Sequence, residues 1–125
     1  SFSFDTCAAA LDQGMPVHTI SSDLHGGNLN RYVVSLARTM SKFRLLGLSL
    51  EETVYAVSCR PVDALSIPEL GAVEAGRAAN LTVFAETDTA VEVEDAEGIV
   101  RTTKAWIEPR LAIVDGNVHQ VSETL

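Results

Sequence analysis

Asp23 and His25 stand two residues apart in the stretch TISSDLHGGN, with Gly26, Gly27 and Asn28 directly behind them. The aspartate closes a run rich in β-branched residues, 17–22. A carboxylate at the end of an otherwise apolar strand is costly to bury alone, so it implies a partner: a metal ion or neighbouring N–H groups. Two glycines let the backbone turn tightly beside it and leave room for a ligand. His25 lies where it can bind substrate or orient the carboxylate, and a solvated loop histidine fits equally well. Asn28 and Asn30 can contact substrate or cap a turn. The same letters also make good turn chemistry, and an aspartate that only caps the loop would look the same.

The elements around this stretch are of two kinds. Residues 5–14, DTCAAALDQG, read as a short helix with an acidic N-cap, alanines and a glycine stop. A Phe-Ser-Phe strand before it and the strand 17–22 after it complete a strand–helix–strand order, and catalytic groups in a parallel α/β layer gather where strands end. Residues 31–46 place Val33, Leu36, Met40 and Phe43 three and four apart, one face of an amphipathic helix from which Arg31, Arg38, Lys42 and Arg44 mostly turn away. Gly47 closes it. Ser49 and Glu52 form a capping box for a next helix burying Leu50, Val54 and Val57, which Pro61 should end near Arg60, with a short turn through 61–65.

Beyond Ile67 the texture changes to short β-branched runs: 72–73, 81–84, 91–93, 99–103 and 111–114. Asp115-Gly116 is a two-residue hairpin signal joining the last run to 117–121. The shift, with Pro68 and Gly71 as punctuation, divides the chain into 1–66 and 67–125. Neither part is self-sufficient, since one βα layer leaves a strand edge and an apolar helix face bare.

The remaining reactive residues carry less. His18 is expected to be a packed or partner-bonded strand residue, and His119 a surface one. Cys59 beside Arg60 lacks a histidine base or second cysteine nearby in sequence. Glu86, Asp88, Glu92, Glu94, Asp95 and Glu97 lack the spacing of a calcium loop and read as a solvated β-edge.

Composition sets outer bounds. With 46% hydrophobic and 21% charged residues the 125-residue chain has globular composition, and no run approaches a membrane span. Seventeen acids against nine bases give −8, which repels phosphate backbones, so no nucleic-acid partner is expected. Cys7 and Cys59, without paired spacing, suit a reducing, cytoplasmic compartment. The opening at Ser1 reads as a start in mid-structure.

Three stretches in succession, TISSDLHGGN, LARTMSKFRLLGLSLEETVYAVSCRPVDAL and LGAVEAGRAANLTVF, resemble the C-terminal third of the amidohydrolase superfamily, and within it the dihydroorotase-like deacetylases. The resemblance implies an α/β fold: the last strands and helices of a (β/α)8 TIM-type barrel in 1–66, then part of a small composite β-sandwich in 67–125. It makes Asp23 the aspartate that ends the eighth strand, touches a metal and shuttles protons. It implies one or two divalent ions, usually zinc, with His25 and Asn28 near a small acyl or cyclic amide substrate. Asn80 stands where the family's Gly-x-x-Ala-Asp-Leu segment has aspartate, a change that bears on a turn.

The family's other ligands, a His-x-His pair, a bridging lysine or glutamate and two later histidines, cannot be assigned to His18, His25, His119, Lys42 or Lys104. Alone, the chain is therefore expected to be inactive and to self-associate. Its parent is expected to be a homo-oligomer larger by a couple of hundred residues, since a full barrel takes roughly 250. The competing expectations are a noncatalytic interaction module and a nucleobase-type deaminase with the same chemistry.

Overall fold

A computed structural model describes residues 2–121. The first helix, α1 (Phe4–Asp12), begins at Ser3, whose hydroxyl accepts from the Thr6 N–H at 3.4 Å. Phe2-Ser3-Phe4 thus leads into a helix, not the expected strand. Asp5 is one residue inside the helix and not its cap; its charge still favours the N-terminal dipole.

Residues 17–22 form no strand among the described residues. β-branched composition fits a pleated surface but makes none without a neighbour to bond. The segment is instead docked on a helix: Ile20 donates its N–H to the Ala56 carbonyl at 2.8 Å and packs its side chain with Leu48 and Ala56. His18, expected to be packed, is exposed for the same reason.

The second helix, α2 (Leu36–Leu45), is shorter than 31–46, because Ser35 supplies the first good cap, accepting from the Arg38 N–H at 3.1 Å. Val33 is buried, but in the turns before the helix. Met40 faces inward as expected, together with Thr39, Ser41 and, against expectation, Lys42, whereas Leu36 is exposed. The helix stops at Gly47 (φ 103°): Gly47 donates to Arg44 and Leu48 to Phe43, and Leu48 folds back onto Phe43.

Helix α3 (Leu50–Val57) carries the predicted capping box, with Ser49 N–H to Glu52 Oε2 at 2.7 Å and Glu52 N–H to Ser49 Oγ at 3.0 Å. Its buried residues are Thr53 and Ala56, with Leu50, Val54 and Val57 only half-buried. The expected last turn is a helix in its own right, α4 (Cys59–Leu65). Pro61 is tolerated in its first turn, where backbone N–H groups lack helical partners anyway.

Five strands follow: β1 (Leu81–Thr87), β2 (Val91–Glu94), β3 (Val100–Thr103), β4 (Trp106–Val114) and β5 (Asn117–Gln120). Residues 72–73 join none of them, and β4 starts five residues ahead of Leu111. The antiparallel sheet β1–β4–β5 pairs Leu81 with Ile113 and Ile113 with Val118, with an irregularity between Val83 and Phe84. The other sheet is the hairpin β2–β3. Asp115 and Gly116 make the predicted turn at φ 47° and 80°. Asn80 helps hold that turn, its Oδ1 accepting from the Asp115 N–H at 3.0 Å.

The two parts share a core. Phe4 of α1 packs with Val91, Val93 and Trp106, each at most 6% exposed. Ser41 Oγ on α2 accepts from the Ile107 N–H at 3.0 Å, tying the helix layer to the start of β4. No described helix is long and apolar enough to cross a membrane.

Candidate active site

The loop after the docked segment is closed by one side chain. Asn28 Nδ2 donates to the Asp23 carbonyl at 2.8 Å, and Asn28 Oδ1 accepts from the His25 N–H at 2.8 Å. Its backbone repeats the closure, with Asn28 N–H and Leu29 N–H reaching the His25 carbonyl at 3.0 and 3.1 Å. Asn28 is 1% exposed. Expected near the substrate, Asn28 holds the loop here, its buried amide bridging Asp23 and His25.

Asp23 and His25 are exposed at this loop. Asp23 has φ 51°, in the left-handed region, which aspartate enters more readily than most residues and which is found disproportionately at functional sites. His25 Nδ1 accepts from the Gly27 N–H at 3.1 Å. That bond leaves Nε2 as the proton-bearing nitrogen of the neutral ring. A Cβ at Gly27 would stand 3.0 Å from His25 Cε1, so a larger residue there would push the imidazole aside. Sequence reasoning thus located the loop, while the closure by Asn28 is visible only in the fold.

A resident metal finds one oxygen donor at this loop, the Asp23 carboxylate. Among the described residues no group of three or more histidines, cysteines, aspartates or glutamates is placed to hold an ion. The set does not fit a metal by itself, and further ligands must come from outside it. A cavity of about 340 Å³ lies at the other end of the docked segment, lined by Leu11, Val17, Leu48, Glu52 and Arg60. It contains neither Asp23 nor His25. Its polar groups are engaged, Glu52 in the capping box and Arg60 on the Val17 carbonyl at 2.6 Å.

Two ionisable groups escaped the sequence reading. Asp95, expected on a solvated edge, is fully buried: Oδ2 accepts from the Phe4 N–H, and Oδ1 from the Glu97 and Ile99 N–H groups, each at 2.9 Å. Burial pushes its carboxyl up, but those three donors and Lys42 outweigh it, and the group sits below the usual carboxylate range. The bonds to Glu97 and Ile99 are legible as an aspartate turn in DAEGI; the bond to Phe4 is not. Lys42 is 1% exposed and lowered to about 8, chiefly by burial and then by Arg38, against the opposing pull of Asp95 and Glu94.

The cysteines are quiet. Cys59 Sγ donates to the Gly71 carbonyl at 2.9 Å, and burial pushes the Cys7 thiol up. Glu86 pairs with Arg44 at 2.7 Å.

The chain belongs to the amidohydrolase superfamily, as two kinds of likeness show. It is 36% identical over 114 residues to a protein named deacetylase from Agrobacterium fabrum, covering 91% of this chain and 28% of that protein. To a deacetylase from Enterococcus faecalis it is 32% identical over 120 residues, covering 95% and 32%. Its fold matches a crystal structure of a dihydroorotase with a TM-score of 0.91 and 34% identity, over 100% of this chain and 33% of that one. An adenine deaminase structure matches with a TM-score of 0.91 and 31% identity, over 97% and 33%. The chain therefore spans 28–33% of the length of these relatives. No family model matches it.

Proposed function

We propose that this chain contributes the proton-handling end of a metal-dependent amidohydrolase that cleaves an amide or ester, either an acyl group or a cyclic amide. Asp23 carries the reading. Its support is an exposed carboxylate in a left-handed conformation, at the end of a docked segment, on a loop closed by a buried asparagine. That loop lies in a chain alike over nearly all its length to proteins named deacetylase.

A divalent ion, zinc in the first instance, supplies an acidified water and a polarised carbonyl when the remaining ligands are present. Asp23 would hold such an ion only together with ligands from the rest of the enzyme, and its carboxylate would take up a proton from the attacking water and pass it to the leaving group. His25, with Nε2 as donor, binds the substrate beside it. Asn28 holds both backbones in place. Among the described residues no three potential ligands come together, so the 125 residues alone should be inactive. The complete protein is a cytoplasmic homo-oligomer of a small-molecule substrate class, with no nucleic-acid or membrane partner.

The test is Asp23→Asn in the complete enzyme, which keeps the shape and removes the proton acceptor. Acetate release from an N-acetyl substrate should fall at least about 10²-fold in kcat with circular dichroism unchanged. Near-normal turnover would return Asp23 to a turn-forming role. The equally good structural match to an adenine deaminase favours a second reading, deamination of a nucleobase by the same residues. Ammonia released from adenine, without acetate from acyl substrates, would decide for it.

A further inference from the structure

We infer that Lys42 is a positioning residue for the Asp23 loop, its buried amino group holding the Tyr32 carbonyl and so fixing where that loop joins α2. The inference rests on the reading of Asp23 given above. Three observations lead to it.

The loop is first of all a closed unit. Besides the Asp23–Asn28–His25 bonds, the Asn28 carbonyl accepts from the Arg31 N–H at 3.2 Å and the Val33 N–H at 3.4 Å. Such a unit keeps its internal shape but needs an anchor to keep its place. Lys42 provides one, donating from Nζ to the Tyr32 carbonyl ten residues earlier.

Second, the junction is strained. Val34, between Tyr32 and the Ser35 cap, has φ 59°, a region that a β-branched side chain resists. A chain persists there only where its surroundings over-determine it.

Third, Lys42 sits where burying an amine is unfavourable and a methionine or leucine would pack more simply. Its side chain is instead led to the junction through a shared interior. Nζ is 5.6 Å from the centre of the Phe2 ring, and Phe2 is packed against the Phe4–Trp106 core. The charged groups around it are Arg38 on its own helix and Asp95 and Glu94 at the β2–β3 turn. Two of the neighbouring segments, residues 2–4 and the β2–β3 turn, are bonded to each other through Phe4 and Asp95. The amine therefore joins the loop to the core shared by α1 and the β2–β3 hairpin.

Hydrogen exchange of the intact protein tests this. In Lys42→Met the Asn28, Leu29, Arg31 and Val33 amides should exchange at least about tenfold faster, while Thr53 on α3 and Leu111 on β4 keep their wild-type rates. Lys42→Arg, which keeps a donor but shifts it, should lie between Lys42→Met and wild type. Unchanged loop exchange in Lys42→Met overturns the inference. So does a loss spread evenly over α3 and β4 in either variant, which would mark a packing role.

In turnover of p-nitrophenyl acetate, Lys42→Met should lower kcat several-fold with KM within about twofold, as expected for a misplaced catalytic group with intact binding. A fall in KM-dependent binding alone would contradict it. Should Asp23→Asn prove fully active, the reading of Asp23 fails, and the exchange experiment still decides whether Lys42 anchors the loop.

Discussion

Asp23 and Asp95 are the same residue type, each placed where an extended segment gives way to a turn, and the fold uses them in opposite ways. Asp95 is enclosed and receives three backbone N–H groups, one of them from the distant Phe4. Asp23 stays exposed while its carbonyl, rather than its carboxylate, is clamped by Asn28. One carboxylate is enclosed in the interior; the other belongs to a residue at an exposed loop. The difference teaches that a turn aspartate is assigned by what its neighbours need. The Phe4 amide would be buried without a partner if Asp95 were absent, whereas the backbone of the Asp23 loop is bridged by the Asn28 amide.

The contrast can be broken most directly at Asp95. Asp95→Ala should cost about 3–5 kcal/mol of unfolding free energy, measured by urea denaturation, because it orphans the buried Phe4 N–H and two part-buried N–H groups, each bonded to a charged acceptor. Loss of less than about 1 kcal/mol would mean water replaces the carboxylate and the contrast is false. Asp23→Asn should show the reverse, at least about 10²-fold in kcat, equivalent to about 2.7 kcal/mol of barrier, with a stability change within about 0.5 kcal/mol. If the two variants moved the same observable, the two aspartates would not differ in kind.

Two smaller effects sharpen the comparison. Lys42, one of the groups that hold Asp95 ionised, is lowered to about 8 from 10.5. Its unfolded form binds the proton more tightly, so between those values the unfolded state carries more protons and stability rises with pH. Below about 8 the cost of the buried charge is fully present. The stability of wild type relative to Lys42→Met should therefore rise by about 2 kcal/mol between about pH 8 and pH 10, read from paired denaturation curves.

Asp95 has the opposite sign, since its folded value is depressed. Its contribution is whole above about pH 4 and is lost as pH falls through the lower folded value. Smallest is Asn28→Ala, expected to cost about 1–2 kcal/mol and to lower kcat through the loosened Asp23 backbone. Unaltered kcat in that variant would separate the clamp from the chemistry.

How much of this was readable in the chain follows from the range of each interaction. The Ser49–Glu52 capping box, the Gly47 stop and the Asp115-Gly116 hairpin were legible, because each is decided within about four residues by side chains meeting nearby backbone. The DLHGGN segment was legible as a tight loop for the same reason. The strand expected at 17–22 was misread because its β-branched residues state a preference that only a neighbour can satisfy; α3 supplied a docking surface instead. The start of α2 was displaced because periodicity marks a face, while the Ser35 hydroxyl marks the end.

Lys42 and Asp95 lay beyond reach of any local pattern. By itself, the order of residues determined the Ser49–Glu52 capping box, the Gly47 and Asp115-Gly116 turns, five of the six β-runs and the loop bearing Asp23 and His25. Only the tertiary structure decided which aspartate is buried, that a lysine lies inside, and that Asn28 clamps rather than presents. Burial and donor supply are set by contacts such as that between Phe4 and Asp95, 91 residues apart, and no short window of sequence contains both partners.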